Sequence, residues 1–291
     1  MEPVSAPCRV AAVMTVFNRR DVTLSCLRSL REQRQEGVEL SVFVVDDASP
    51  DGTGAAIAAE FPEVELVHGT GELYWNGGMR LGLEVARAGD FDFYWWLNDD
   101  VTLDQGAMRL LITTADLLHE RGEWPTIVVG STRDPDTGEV TYGGRERTEP
   151  TRPFRFSLVQ PGSQPVKTTT MNGNCVLVPR EIVGELGNLS PEYRQQMGDH
   201  DYGLRAGKAG FGVWLAPGTV GTCRAKAPRN TASGSLLAEL GNIFSAKELP
   251  INAWGTFTRR WGGPLWPLYF LSPYLRRSIG LIGERVLGRR G

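Results

Sequence analysis

The first 120 or so residues alternate between uninterrupted apolar runs and segments in which apolar residues recur every three or four positions. An uninterrupted apolar run predicts a strand that is buried on both faces of a sheet, and the three-to-four period predicts a helix. In the helical segment at 22–35, the inward positions are Leu24, Leu27 and Leu30. Strands and helices that alternate at this spacing predict a mostly parallel α/β sheet. In chain order, the predicted elements are strand 9–16, helix 22–35, strand 40–45, helix 55–60, strand 64–67, helix 79–88, strand 91–97 and helix 104–121.

Polar and turn-forming residues predict how these elements begin and what connects them. Asp21 is expected to cap the first helix with its side chain. Gly69 and Gly71 on one side, and Gly77 and Gly78 on the other, predict an irregular loop before the helix at 79–88. The second half of the chain is more mixed. Its predicted elements are strand 126–131, a hairpin over 134–144, a loop over 148–165, strand 170–179, helix 198–209 and strand 211–215.

The composition limits the classes of protein to which the chain can belong. Its 291 residues, 41% of them hydrophobic, can bury a core, and the net charge of −3 argues against nucleic-acid binding, which needs a basic surface. The four cysteines form no CxxC pair, which is typical of a reduced protein without disulfides or a zinc site. No signal peptide is recognisable, and no apolar run reaches the roughly 20 residues that span a bilayer, so we expect a cytoplasmic protein.

Basic and aromatic residues are concentrated near the C-terminus. Between Arg259 and Gly291 there are seven arginines and a single acidic residue, with five aromatic residues interspersed. One interpretation is a segment that contacts a membrane surface, at the inner face of the plasma membrane. The alternative is a C-terminal helix that packs on the core and has solvated arginines. In both interpretations, residues 236–291 form a basic, aromatic helical tail behind a body at 1–235.

Carboxylates follow two of the predicted strands and open one predicted helix. Asp46-Asp47 end the second strand, Asn98-Asp99-Asp100 follow the fourth, and Gly198-Asp199-His200-Asp201 begin the helix at 198–209. Proteins with a parallel α/β sheet bind their ligands at its carboxyl edge, where a carboxylate pair is suited to a divalent cation. The alternative for each group is a turn that leads into a helix N-cap.

Four motifs in this order and spacing resemble those of the family 2 glycosyltransferases, which have the GT-A fold. The resemblance runs from about residue 9 to about residue 220. It implies a GT-A (Rossmann-like), mostly parallel central sheet with flanking helices and, with the tail, a C-terminal helical appendage. It also implies a nucleotide-binding half at about 8–122 and an acceptor-side half at about 123–235. The motifs are Val13-Met14-Thr15-Val16-Phe17-Asn18-Arg19, Val44-Val45-Asp46-Asp47-Ala48-Ser49-Pro50-Asp51-Gly52-Thr53, Leu97-Asn98-Asp99-Asp100-Val101 and Gly198-Asp199-His200-Asp201-Tyr202-Gly203-Leu204-Arg205.

The resemblance implies a pocket for a nucleotide-sugar donor. Thr15 and Phe17 would line the base pocket, and Asp47 would accept hydrogen bonds from the base or ribose. The glycines near position 77 would let the backbone approach the donor, or would only make a turn before a helix. Trp75 is a candidate for the wall of the donor or acceptor site. The donor-binding residues implied are Thr15, Phe17, Asn18, Asp47, Asn76, Gly77, Gly78, Arg80, Asn98 and Asp99.

The resemblance also implies a Mg²⁺ or Mn²⁺ ion, with Asp100 as its direct ligand and Asp99 in contact with the metal or the donor sugar. Such an ion neutralises the diphosphate as it leaves. Many relatives have a histidine at the place where this chain has Cys223, and a thiol is a poor ligand for Mg²⁺. The basic residues that follow it would clamp the diphosphate instead or form a solvated loop. They are Arg224, Lys226 and Arg229.

Asp199 matches the family's general base, which takes the proton of the acceptor hydroxyl as that oxygen attacks the anomeric carbon. Direct attack assisted by a single base implies inversion at that carbon. The alternative is that Asp199 is a plain N-cap. Gly198 stands where many relatives carry glutamate. His200 and Asp201 are candidates for acceptor or diphosphate contacts, and Asp201 fits a supporting role better than that of the base.

We therefore expect an inverting, metal-dependent glycosyltransferase that uses a UDP- or dTDP-linked sugar. Its acceptor would be a glycan or lipid-linked hydroxyl in the synthesis of cell-surface polysaccharide or glycolipid. Two alternatives stay open, namely a nucleotidyltransferase that makes sugar nucleotides and a sugar-nucleotide-binding protein that has lost its activity.

Overall fold

The computed structural model describes residues 7–149, 152–225 and 250–287. The strands are β1 (Cys8–Val16), β2 (Val38–Asp46), β3 (Glu65–His68), β4 (Phe93–Leu97), β5 (Thr102–Leu103), β6 (Thr126–Val129), β7 (Thr132–Arg133), β8 (Val140–Tyr142), β9 (Gly144–Arg147), β10 (Phe156–Leu158), β11 (Val166–Lys167), β12 (Thr170–Met171), β13 (Cys175–Pro179), β14 (Gly212–Leu215) and β15 (Gly221–Thr222). The helices are α1 (Arg20–Arg31), α2 (Thr53–Glu60), α3 (Tyr74–Ala86), α4 (Ala107–Glu120), α5 (Arg180–Leu186), α6 (Gly198–Lys208), α7 (Ile251–Trp261) and α8 (Trp266–Leu287), with a 3₁₀ turn at Gly263–Leu265.

Eight strands form a central sheet in the order β11-β14-β6-β13-β4-β1-β2-β3. The strands β4, β1, β2 and β3 run parallel, and their register places Val16 beside Asp46 and Asp46 beside His68. The carboxyl ends of these four strands therefore meet at one edge of the sheet, which we call the carboxyl edge. The predicted mostly parallel α/β architecture is confirmed. Two smaller sheets, β10-β9-β12 and β5-β15-β7-β8, lie outside it.

Two strands of the central sheet, β13 and the edge strand β11, run against their neighbours. The sequence predicted a single strand over 170–179, but the chain forms β12 and then β13, with Asn172-Gly173-Asn174 between them. Strand β13 is antiparallel to both β4 and β6, and Cys175 pairs with Leu97. Because β13 begins where β4 ends, the connection between β12 and β13 also lies at the carboxyl edge.

Strand β1 shows why the apolar runs contain almost no polar residues. Val10 and Met14 pack with α1 on one face of the sheet, whereas Ala11 and Val13 pack with α3 on the other. Successive side chains of a strand point to opposite faces, so a strand that is covered by helices on both faces must be apolar at every position. The three leucines predicted to face inward on α1 are buried.

The predicted loop before the third helix is present but shorter than expected. Helix α3 begins at Tyr74 rather than at 79, so Gly77 and Gly78 are helical. A Cβ atom at Gly78 would lie 2.0 Å from Thr15 Oγ1, and glycine therefore allows α3 to approach β1 closely.

Two other local predictions also differ from the structure. Asp21 does not cap α1, because the helix already begins at Arg20 and Asp21 lies in its first turn. Instead Asp51, from the loop after β2, accepts a hydrogen bond from the backbone N–H of Arg20 at 3.0 Å. The segment 148–165, predicted as a loop, contains the short strand β10.

Helix α7 packs against the body around a buried carboxylate. Asp201 of α6 is fully buried, and both of its oxygens lie 2.9 Å from Arg260 Nη1. It also accepts hydrogen bonds from Trp261 Nε1 at 2.9 Å, and from Tyr193 Oη and Arg205 Nε at 3.1 Å each. The structure thus agrees with the alternative of a helix packed on the core, except that Arg260 is paired rather than solvated. The predicted domain boundary at 235 lies outside the described residues and stays a prediction.

Helix α8 has an apolar face that the described residues leave exposed. Its members recur every three or four residues, so they lie along one side of the helix. Arg276 and Arg277 are exposed on the same helix. In the described part of the chain, no helix is both long and apolar enough to cross a membrane. The apolar face consists of Leu268, Leu271, Leu275 and Ile279, and Leu265 of the preceding 3₁₀ turn extends it; these side chains are 50–70% exposed.

We predict that Arg260→Ala lowers the free energy of unfolding by about 3–5 kcal/mol, because it removes one charge partner of a buried carboxylate. Arg259→Ala is the matched control, since Arg259 is exposed and only lies over the ring of Trp266. Urea denaturation measures both variants. Equal, small effects of the two substitutions would show that the Asp201 pair does not hold α7 in place.

Candidate functional site

A cleft of about 970 Å³ opens at the carboxyl edge of the central sheet. The ends of β1, β2 and β4 contribute one wall, and the connection between β12 and β13 and the start of α6 contribute the other. Aromatic side chains, among them two from α7, close one side. The sequence-predicted residues that line the cleft are Thr15, Phe17, Asp47, Trp75, Asn98, Asp100, Asp199 and His200.

Asp47 organises the backbone that leads into α3. Its carboxylate accepts hydrogen bonds from the N–H groups of Gly71 at 2.7 Å, Leu73 at 2.9 Å and Tyr74 at 3.1 Å. These bonds satisfy donors at the start of a helix that has no side-chain cap of its own. Asp47 therefore shapes the floor of the cleft, which leaves less of its accepting capacity for a ligand than the sequence suggested.

The four residues predicted around the glycine loop do not line the cleft. Asn76 is fully buried, and its amide donates hydrogen bonds to the carbonyl oxygens of Ser190 at 2.9 Å and Tyr193 at 2.7 Å. Arg80 Nε donates to the Leu189 carbonyl at 2.9 Å. Asn76 and Arg80 thus fix α3 to the segment that precedes α6. The prediction that Asn76, Gly77, Gly78 and Arg80 belong to a loop was wrong, because all four lie within α3, and their contact with a donor stays a prediction.

Gly198 explains one departure from the family pattern. A Cβ atom at this position would lie 1.8 Å from Asn76 Oδ1. The buried amide of Asn76 therefore occupies the space that a side chain at 198 would need, so a glutamate does not fit here.

The carboxylate pair after β4 lies against Arg19. Arg19 Nη1 is 2.9 Å from Asp100 Oδ2, and Nη2 pairs with Asp99 Oδ1. Asp99 is 1% exposed and also accepts a hydrogen bond from Thr23 Oγ1 at 3.2 Å. Burial raises the pKa of Asp99 to about 6, although Arg19 opposes this shift. Arg19 was part of a predicted motif but was not predicted as a site residue.

Cys223 lies beside the carboxylate pair, as its place in the sequence suggested. Its thiol is buried, 3.5 Å from Asp100 Oδ1 and 3.8 Å from Asn174 Nδ2. Asp99 and Asp100 offer the hard oxygen ligands that Mg²⁺ and Mn²⁺ prefer, whereas the thiol does not. Within residues 7–149, 152–225 and 250–287, no group of three or more His, Cys, Asp or Glu side chains is placed to hold a metal. The carboxylate pair therefore fits a sparse site that leaves coordination positions for other oxygen ligands.

Asp199 is held at the start of α6 by two neighbours. Its Oδ2 accepts a hydrogen bond from the N–H of Gly173 at 2.9 Å, and its Oδ1 accepts one from the N–H of His200 at 2.8 Å. His200 Nδ1 lies 3.0 Å from the same Oδ1. Burial raises the pKa of Asp199, but interaction with the His200 ring and these hydrogen bonds outweigh burial, so the pKa lies below its ordinary value. Asp199 is therefore an ionised carboxylate that faces the cleft, as a general base must be.

Trp75 links the carboxylate pair to Asp199. Its Nε1 donates a hydrogen bond to Asn98 Oδ1 at 2.7 Å. A Cβ atom at Gly173 would lie 2.6 Å from the Trp75 ring and 3.2 Å from Asp199 Cβ, so only glycine fits between them. Trp75 therefore lies between Asn98, which precedes the carboxylate pair, and Gly173, whose N–H binds Asp199.

The remaining predicted residues lie elsewhere. Asn18 is exposed, and its backbone N–H donates a hydrogen bond to Ser49 Oγ at 2.9 Å. Asp201 points away from the cleft into its buried ion pair, so the predicted acceptor or diphosphate contact was wrong. Arg224 pairs with Asp136 at the surface. Lys226 and Arg229 lie outside the described residues.

The sequence did not predict several of the residues that line the cleft. The connection between β12 and β13 was hidden inside one long apolar run, although the sequence Asn172-Gly173-Asn174 was a signal for a turn. The aromatic wall combines rings that are distant in the chain, and no local pattern predicts that they meet. They are Phe154, Phe156, Trp254 and Phe257.

The family model for glycosyl transferase family 2 matches residues 11–187, which is more than half of the chain. The chain belongs to glycosyl transferase family 2. The matched region contains the ends of β1, β2 and β4, whereas Asp199 lies beyond it.

Similar proteins agree with this assignment. An N-acetylglucosaminyl-diphospho-decaprenol L-rhamnosyltransferase from Mycobacterium tuberculosis is 28% identical over 205 residues, in a match that covers 61% of this chain and 63% of that protein. The match thus spans less than two thirds of the relative's length.

Solved structures confirm the GT-A fold. The mannosyltransferase PcManGT from Pyrobaculum calidifontis, in complex with GDP-Man and Mn²⁺, is 17% identical with a TM-score of 0.53, over 99% of this chain and 77% of that one. TarS from S. aureus (residues 1–349), in complex with UDP-GlcNAc, is 14% identical with a TM-score of 0.57, over 96% of this chain and 92% of that one. At these sequence identities, the similarity shows only that the fold is shared.

The raised pKa of Asp99 predicts a specific pH dependence of stability. Its folded pKa of about 6 lies above the ordinary value of 3.8, so the native state binds a proton more tightly than the unfolded state does. This contribution is fully present below about pH 4 and is lost as the pH rises through 6, and it amounts to roughly 3 kcal/mol at most.

Asp99→Asn removes this titration. The unfolding free energy of the variant, minus that of the wild type, should therefore rise by up to about 3 kcal/mol between about pH 4 and pH 7. Urea denaturation at intervals across this range measures the difference. A difference that does not change with pH would contradict the raised pKa.

Proposed function

We propose that this protein is an inverting, metal-dependent glycosyltransferase that transfers a sugar from a nucleotide-sugar donor to an acceptor hydroxyl. The observation that carries the proposal is one cleft that holds Asp47, Asp100 and Asp199, from three separate family motifs. An ionised base and a carboxylate pair suited to a divalent cation are the two groups that such a transfer needs.

The donor would bind between the ends of β1 and β2 and the carboxylate pair. Thr15 and Phe17 face this part of the cleft, and Asp47 holds the loop that closes it. The two structural neighbours were solved with nucleotide sugars, which supports a donor of this class. The similarity to a rhamnosyltransferase favours rhamnose as the sugar, linked to dTDP or UDP.

A Mg²⁺ or Mn²⁺ ion would be held by Asp100, with Asp99 beside it. When bound, it supplies positive charge that stabilises the leaving diphosphate. Asp100 suits this task because its side chain is 23% exposed to the cleft, whereas Asp99 is nearly inaccessible.

Asp199 would accept the proton of the acceptor hydroxyl while that oxygen forms a bond to the anomeric carbon. The bond between the anomeric carbon and the diphosphate breaks on the opposite side, so the configuration inverts. His200 fixes the orientation of Asp199 and lies where it can also contact the acceptor. The aromatic wall offers flat apolar surfaces to the acceptor, and the relative's decaprenol-linked substrate supports a lipid-linked acceptor in the synthesis of a cell-surface glycan.

We expect Asp199→Asn to lower the rate of sugar transfer by about 10²–10⁴-fold, because it removes the proton acceptor. Nucleotide affinity should stay within about twofold of the wild type, since donor binding does not use this group. Transfer is measured with radiolabelled dTDP-rhamnose and a polyprenyl-diphosphate-linked sugar, and binding by calorimetry. Asp136→Asn, at a surface acid outside the cleft, is the control.

Full transfer by Asp199→Asn would exclude Asp199 as the base. Formation of a sugar nucleotide from a nucleoside triphosphate and a sugar phosphate would indicate the nucleotidyltransferase alternative. Nucleotide binding without turnover by the wild type would indicate a protein that has lost its activity.

The exposed apolar face of α8 supports contact with the cytoplasmic surface of the plasma membrane. Its aliphatic side chains can enter the interface between headgroups and acyl chains, and the exposed Arg276 and Arg277 complement anionic lipids. Such a contact would bring the cleft to an acceptor whose lipid part stays in the membrane.

The paired substitution Leu268→Glu and Leu275→Glu should reduce binding to vesicles of phosphatidylcholine and phosphatidylglycerol at least about fivefold, because it places charge on the apolar face. Val22→Glu changes an apolar residue of α1 that is 45% exposed, and it serves as the control. Flotation assays measure binding. If the paired variant floats as well as the wild type, α8 does not contact the membrane.

A further inference from the structure

Every oxygen of the carboxylate pair faces a donor group of the protein itself. Arg19 occupies Asp99 Oδ1 and Asp100 Oδ2 through its two terminal nitrogens. The remaining oxygen of Asp99 accepts the hydrogen bond from Thr23, and that of Asp100 lies 3.5 Å from the Cys223 thiol. Each of the four oxygens therefore already faces a donor.

A divalent cation that binds Asp100 Oδ2 would compete with Arg19 for that oxygen. Mg²⁺ and Mn²⁺ bind carboxylate oxygen at about 2.1 Å, so a guanidinium nitrogen at hydrogen-bond distance from the same oxygen would be close to the ion. Two like charges repel strongly at that separation in a partly buried site. Arg19 is the charged donor of Asp100, so it is the group that a cation on Asp100 would repel.

Arg19 is partly exposed at the cleft. Its side chain is 43% exposed and begins at the loop after β1, beside Phe17. Of the described residues that line the cleft, Arg19 is the only arginine or lysine. A guanidinium suits a diphosphate because its planar N–H groups bind phosphate oxygens in pairs. The diphosphate of the proposed donor would thus offer Arg19 an alternative partner at the moment when it loses Asp100.

We propose that Arg19 is an exchangeable counterion, which neutralises Asp99 and Asp100 in the empty cleft and transfers to the donor diphosphate when a cation binds Asp100. The proposal rests on the proposed function for the identity of the diphosphate ligand. Metal and nucleotide binding are then coupled. The cation releases Arg19 from Asp100, and the diphosphate binds the released Arg19, so each ligand favours the binding of the other. Arg19 has opposite effects on the two ligands: it opposes the cation alone and favours the nucleotide.

The test measures the two bindings separately. Mn²⁺ is titrated alone and followed by electron paramagnetic resonance, and UDP and dTDP are each titrated by calorimetry with and without saturating Mn²⁺. The proteins are the wild type, Arg19→Ala, Arg19→Lys and the control Arg20→Ala. Arg20 is the adjacent arginine, it pairs with Asp21 at the surface, and it does not line the cleft.

For Arg19→Ala we expect Mn²⁺ alone to bind about 5–10-fold more tightly, and the nucleotide in saturating Mn²⁺ to bind at least about tenfold more weakly. Arg19→Lys keeps the charge but cannot bridge two carboxylates, so its Mn²⁺ affinity should be intermediate. It also keeps the test valid if the alanine variant does not fold. Arg20→Ala should match the wild type for both ligands.

Two results would overturn the proposal. If Mn²⁺ affinity is unchanged or weaker in both Arg19 variants, Arg19 does not compete with the cation. If nucleotide affinity is unchanged, Arg19 does not bind the diphosphate. Failure of the proposed function gives a different pattern, in which the wild type binds neither nucleotide while the opposing effect of Arg19 on Mn²⁺ remains measurable.

Discussion

The site depends on the parallel register of β1, β2 and β4. Because these strands run in one direction, the residues that follow each of them are brought to the same edge of the sheet, although they are distant in sequence. Helices cover both faces, so the register is fixed by tight apolar packing on each side of β1. A shift by one residue would turn core side chains to the wrong face and separate Asp47 from the carboxylate pair.

Buried carboxylates connect distant segments to this edge. Asp99 and Asp201 are both inaccessible, and each is neutralised by an arginine from another part of the chain. Asp99 thereby fixes the loop after β1, and Asp201 fixes α7 to α6. Asp199 differs from both, because its partners are two backbone N–H groups and a histidine. It therefore keeps its charge without being held in an arginine pair, which suits a group that must accept a proton.

Sequence patterns predicted the elements whose formation depends on residues that are close together in the chain. The apolar runs gave the strands of the first half, and the acidic motif at 198–201 gave both the start of α6 and the position of Asp199. The start of α3 could not be predicted in this way, because Asp47, 27 residues before Tyr74, organises it. The role of Asp201 was equally hidden, since Arg260 lies 59 residues later. The direction of β13 depends on its pairing with β4 and β6, and the pattern of apolar residues along the chain does not predict that pairing.

The contact between Asp201 and α7 has a consequence for biosynthesis. The helix that carries Asp199 reaches its final set of partners only after Arg260 and Trp261 have been added to the nascent chain. The aromatic wall is also incomplete until Trp254 and Phe257 leave the ribosome. A nascent chain that ends before α7 therefore has the strand ends that carry Asp47 and Asp100, but it lacks two rings of the aromatic wall and the arginine that pairs with Asp201.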